Sequence, residues 1–241
     1  MLEIVFQNFS PVAGCVHPAI ARPVYFTTSE KKYNTVPCCA EFFCSVSSPF
    51  IALPAVLFFA FPGPLPAVCV CLCMLGMLTA LASTVYHWFL CDAAGTCDLS
   101  FAIGWTYAIL SAVTALHFEY AISVWQTLVV FAATAGLIAL SRYFNKHDAA
   151  SIVAFVGAIP WVIWMGITIE AYFSVVVFLV AVLCIQADRT FQIPTHSFWH
   201  ILLGVCVYGF VAQAGVLRLL ISGEVVAVER LWGSPLYFPA P

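Results

Sequence analysis

Seven runs of roughly 17–25 apolar residues, each long enough to cross about 30 Å of hydrocarbon, recur along this chain and constrain its fold more than any other feature. They fall at 42–61, 65–86, 99–116, 120–140, 150–168, 171–187 and 197–221. Between them lie Pro62-Gly63-Pro64, the 87–98 loop, His117 to Glu119, a polar stretch from Ser141 to Asp148, Glu170, and Asp188 to His196. The break at 168–171 is short, yet 150–187 is too long for one helix, so seven spans are expected rather than six. In hydrocarbon every backbone polar group must be satisfied within the segment, which selects helices. The expected fold is therefore an all-α, integral membrane bundle of seven transmembrane helices. A loop-rich segment at 1–41 precedes the 42–221 membrane domain, and a tail follows at 222–241.

Composition removes the competing classes. Hydrophobic residues make up 63% of the chain and charged residues 8%, against about 25% charged in soluble domains. So few charges cannot solvate a globular surface, and so much apolar surface excludes disorder. Eight Lys and Arg against eleven Asp and Glu leave no basic stripe for nucleic acid. The N-terminal residues lack a basic stretch running into an apolar core and a small-residue cleavage site, so a cleaved signal peptide is not expected.

An odd number of spans puts the termini on opposite sides. The N-terminal segment and the 87–98, 141–149 and 188–196 connections then share one face. Arg22, Lys31, Lys32, Arg142, Lys146 and Arg189 lie on that face and Arg218 and Arg230 on the other, which by the positive-inside rule makes the N-terminal face cytosolic. Of the eleven cysteines, Cys69, Cys71, Cys73, Cys184 and Cys206 sit inside apolar runs as small hydrophobes. A Cys91–Cys97 bridge is compatible with an oxidising side, and the odd total leaves at least one thiol free. A zinc held by 69, 71 and 73 is not expected, because positions two apart on a helix point to different faces.

Ionisable side chains at membrane depth are costly and mark function by default. Ser83 and His87, four apart at the end of the second span, share one helix face. Asp98 opens the third span. His196 and His200 begin the seventh span, again one turn apart. All five lie at one membrane level, so three spans can bring three imidazoles and a carboxylate to one point. Three neutral imidazoles suit zinc and leave a fourth position for water. A nearby carboxylate can orient that water and take its proton, and a hydroxyl can donate to a developing oxyanion. His117 and His147 sit at polar breaks, where an interfacial or helix-to-helix hydrogen bond accounts for them, and His17 lies in the N-terminal segment.

This set, Ser83-x-x-x-His87, Asp98 and His196-x-x-x-His200, resembles the alkaline ceramidase family, within a superfamily of seven-span metal-dependent lipid hydrolases that includes the adiponectin- and progestin-type receptors. The eleven-residue step from His87 to Asp98 is similar to the ceramidase branch. So are Glu30, Tyr33, Ala40, Glu41, Phe42 and Ser47 before and in the first span, and Ala-Asp-Arg-Thr-Phe around Asp188. The resemblance implies a zinc-dependent amidase that hydrolyses the N-acyl linkage of ceramides to a sphingoid base and a fatty acid. It implies His87, His196 and His200 as zinc ligands, Asp98 as the base and Ser83 as the oxyanion donor. It also implies a membrane lipid substrate and an endoplasmic reticulum or Golgi membrane.

The family places a calcium ion before the first span, and Glu30 and Glu41 match two of its ligands. Thr27, Thr28 and Lys32 stand where an acid, an aromatic and an amide are expected. Calcium needs about six to eight oxygens and a lysine repels it, which argues against a retained calcium site. Within the superfamily the alternative is an esterase acting on a glycerolipid or a glycosylphosphatidylinositol anchor, which Tyr86-His87 and Ser-Phe-Trp-His also resemble. Outside it stands a seven-span lipid receptor with a structural zinc. A small transporter is disfavoured, since the chain shows no internal repeat and no matching pair of broken helices.

Overall fold

A computed structural model describes residues 28–32, 34–36, 38–60, 65–120, 122–145 and 149–221. The 222–241 tail, His17, Thr27, Tyr33, His147, the Pro62-Gly63-Pro64 break, Arg22, Lys146 and Arg230 lie outside these residues, as does the side chain of Arg218. Among the described residues the chain is helical without a strand, and seven helical spans are long and apolar enough to cross a membrane. The chain is an all-α membrane bundle.

The first span is interrupted, unlike the single helix expected over 42–61. It consists of α1 (Phe42–Ser47), a 3-10 segment (Ser48–Val56) and α2 (Leu57–Ala60). Pro49 and Pro54 explain this, because neither can donate a backbone hydrogen bond and each crowds the preceding turn. Cys73 Sγ, from the next span, lies 3.2 Å from the Pro54 oxygen.

The remaining spans are α3 (Ala67–Phe89), α4 (Asp92–His117), α5 (Val124–Asn145), α6 (Ala149–Thr168), α7 (Tyr172–Phe191) and α8 (His196–Ile221). Leu90, Glu119, Glu170 and Gln192 have φ between 46° and 61° and stop their helices in the left-handed conformation. Glu119 and Glu170 are the breaks expected from sequence. α6 runs through Pro160.

Two connections are shorter than expected. The 87–98 loop is almost entirely helical: α3 continues to Phe89, Leu90 and Cys91 turn the chain, and α4 begins at Asp92. Ala93 and Ala94 favour helix, so Asp98 sits in the second turn of α4 and not at its start. This register also separates Cys91 from Cys97 by six helical residues, about 9 Å of rise, beyond disulfide reach. Both thiols are free, like every cysteine among the described residues. Likewise Asp188 lies in the last turn of α7, not in a loop.

α4 lies at the centre, packed against α3, α5, α6 and α8, while α8 also contacts α7 and the 3-10 segment. Trp105 of α4 is 1% exposed and donates to the Leu72 carbonyl at 2.8 Å. α5 turns Trp125, Val129 and Leu137 outward, as suits a lipid-facing helix. Where α8 crosses the first span the backbones meet: a Cβ at Gly204 would stand 1.9 Å from the Phe50 carbonyl oxygen. Gly204→Ala is therefore expected to destabilise the fold by about 1–3 kcal/mol through overpacking, read as a lower thermal midpoint in detergent. An unchanged midpoint would mean that the contact is loose.

Candidate metal centre

The end of α3 and the start of α8 meet at one level, on the face where the described part of the N-terminal segment lies. His87, in the last turn of α3, has its ring 4.9 Å from that of His200 and 5.3 Å from that of His196. The two α8 imidazoles, one turn apart, are 4.9 Å from each other. One ring nitrogen from each of the three lies within 4.8 Å of the others. His87 and His200 are 1% and 2% exposed, and His87 Nε2 is buried without a hydrogen-bond partner among the described residues. A buried imidazole nitrogen left unpaired is costly unless something accepts its lone pair. Three converging imidazoles with such an atom among them fit a divalent metal, and the donor set suits zinc.

The other ring nitrogens of two histidines are held by the protein. Glu41 Oε2 lies 2.5 Å from His87 Nδ1, and Ser47 Oγ lies 2.9 Å from His200 Nδ1, with Ser48 Oγ at 3.4 Å. Partners of this kind fix the tautomer and ring orientation of metal-binding histidines. Local structure explains the placement. The carbonyls of His87 and Trp88 have no partner within the ending helix, and the N–H groups of Glu41 and Ala40 donate to them at 3.0 Å each. Backbone pairing thus sets Glu41 beside His87, and α1 then carries Ser47 and Ser48 to His200.

Ser83, one turn before His87, is also buried. Its hydroxyl lies 3.1 Å from Ser48 Oγ and within hydrogen-bonding reach of Asp98 on α4. Arg142, from the end of α5, donates Nε to Thr96 Oγ1 at 3.0 Å and faces Asp98 electrostatically. His196 and Asp98 are half-buried whereas His87, His200 and Ser83 are enclosed, so the cluster opens on the side of the former two. The five residues singled out from sequence thus lie together. His117 ends α4 at the opposite end of the bundle, against Phe118.

The two glutamates matched to the calcium pattern have protein partners. Glu30 accepts the N–H groups of Phe43 at 2.8 Å and Cys44 at 3.1 Å, capping α1 from outside the helix. Glu41 accepts from Thr28 N–H at 2.9 Å, Thr28 Oγ1 at 2.8 Å, and Lys32. Burial would raise its pKa, but the hydrogen bond to His87 and the ammonium of Lys32 oppose this, and the carboxyl is held well below the usual carboxylate range. Sequence reasoning assigned no part to Ser48 and read Lys32 as a charge of the N-terminal face and a calcium-repelling residue. The adjacent Ser47-Ser48 pair before Pro49 was the available signal, since such hydroxyls at membrane depth need partners. The chain matches no protein-family model and no curated protein sequence.

Proposed function

We propose that the protein is a zinc-dependent membrane amidase of the alkaline ceramidase type, cleaving ceramides into a sphingoid base and a fatty acid. The observation that carries this reading is the convergence of His87, His196 and His200, with one buried imidazole nitrogen unpaired, beside Ser83 and Asp98. His87, His196 and His200 would hold the ion, and zinc bound there would polarise a carbonyl and lower the pKa of a water to about 7.

The chain's own groups supply the rest. The Asp98 carboxylate, on the open side of the cluster, orients the attacking water and accepts its proton. The Ser83 hydroxyl donates to the amide oxygen as negative charge develops there. Glu41 and Ser47 hold two of the imidazoles in place. A two-chain lipid suits this arrangement because the site lies at the end of apolar spans, so that acyl tails would lie along lipid-facing helices with the polar linkage at the level of the histidines. The endoplasmic reticulum or Golgi membrane follows from the family resemblance.

The discriminating experiment offers purified, zinc-loaded protein in detergent both ceramide and a diacyl glycerophospholipid, with mass spectrometry of the products. Sphingoid base from ceramide is the expected result. Fatty acid from the glycerolipid alone would replace the amidase with an esterase. Turnover of neither by folded, zinc-loaded protein would favour a receptor with a structural metal.

A further inference from the structure

The residues that hold the metal cluster do not end at Glu41. This carboxylate is fully enclosed, and a buried charge persists only when opposite charge and hydrogen bonds compensate it. Its two oxygens are used differently. Oε1 takes the Thr28 N–H, the Thr28 hydroxyl and the Lys32 ammonium, whereas Oε2 faces His87 Nδ1. Lys32 also donates to the Thr28 carbonyl at 2.8 Å, and its side chain is 18% exposed.

The segment that delivers this ammonium is clipped to two spans. Glu30 binds the start of α1, as described above. Asp188 is 2% exposed in the last turn of α7, and accepts from Ser29 Oγ at 2.6 Å and Ser29 N–H at 3.2 Å. A carboxylate there opposes the helix dipole, so its burial is sustained by the contact with Ser29. Asp188 and Glu30 together hold residues 28–32 in the register that sets Lys32 against Glu41.

We propose that Lys32 is a positioning residue for the metal, acting through Glu41 on His87, an inference that rests on the zinc reading above. The ammonium saturates Oε1 and keeps Oε2 turned to Nδ1. A proton held on Nδ1 leaves the Nε2 lone pair directed at His196 and His200. Without the ammonium, Oε1 loses its charged partner and the carboxylate is free to turn, which withdraws Oε2 from His87.

The test measures zinc affinity by chelator competition on the purified full chain in detergent. The set comprises wild type, Lys32→Ala, Lys32→Gln, Lys32→Arg, Glu41→Gln and Lys32→Ala combined with Glu41→Gln. Loss of an outer partner of a metal-binding histidine weakens affinity by about 10–100-fold, and Lys32→Ala is expected in that range. Lys32→Arg keeps the charge and should stay close to wild type, a rescue that a merely space-filling role does not require. In the Glu41→Gln background, Lys32→Ala should add little, because the two residues act in one chain. Should the alanine variant fail to fold, Lys32→Gln carries the same comparison with the stem retained. Unchanged or tighter zinc binding in the Lys32 variants, or an equal loss with and without Glu41, would overturn the proposal. A wild type that binds no zinc would instead overturn the metal reading itself, and the role of Lys32 with it.

Discussion

Replacing His196 by alanine is expected to remove zinc and ceramide hydrolysis together. His196 is the cleanest of the three imidazoles to delete. It is half-buried in the first turn of α8, and alanine there is a strong helix former. His200→Ala would also remove one partner of the Ser47 hydroxyl, and His87→Ala would leave Glu41 facing an empty place. With two imidazoles remaining, zinc affinity should fall by more than the roughly 10–100-fold caused by losing an outer partner. Metal content measured by mass spectrometry and sphingoid-base release should drop in step, while the helical circular dichroism stays that of wild type. Metal retained at the wild-type level would remove His196 from the ligand set.

The second large effect is expected from Asp98→Asn. Asparagine has nearly the same shape, and its amide can keep the hydrogen bond to Ser83, so the α4 register and the histidine cluster should survive. What it lacks is a carboxylate to accept a proton. General base catalysis contributes about 10²–10⁴-fold, and turnover should fall by that factor with zinc content unchanged. Equal loss of zinc and activity would place Asp98 in the metal's support, and full activity would remove it from the reaction.

Much of this arrangement was legible in the sequence because it depends on local periodicity. Apolar run length set the seven spans, and the i, i+4 pairs Ser83/His87 and His196/His200 declared their shared faces without any tertiary knowledge. The convergence of α3, α4 and α8 followed from span parity, which places the end of one helix and the start of two others at one level. The interruption of the first span was less visible. Pro49 and Pro54 were in view, but the contacts that seat the interrupted segment, Cys73 on the Pro54 carbonyl and the close approach at Gly204, come from other spans. The start of α4 was misplaced because Asp92, Gly95 and Asp98 read as polar loop, whereas Ala93 and Ala94 and the two-residue turn at Leu90 and Cys91 carry the helix through them.

The contacts that orient the site were out of reach for a different reason. Glu41 and His87 lie 46 residues apart, and Ser29 and Asp188 lie 159 apart. No periodicity connects such pairs. Glu41 was noticed as a calcium position, and its hydrogen bond to His87 emerged only once the C-terminal carbonyls of α3 were seen to draw residues 40 and 41 alongside. Lys32 was read as hostile to a neighbouring cation, and sequence could not show that it pairs with Glu41.

The central claim is that the three-histidine cluster is a zinc centre that hydrolyses an amide. Its most direct test is wild-type protein purified in detergent, stripped of metal with a chelator and given ceramide before and after addition of one equivalent of zinc. The account predicts no sphingoid base from the stripped protein and restored release on zinc addition, with His196→Ala silent in both states. Release that persists in metal-free wild type, or that His196→Ala retains, would contradict it.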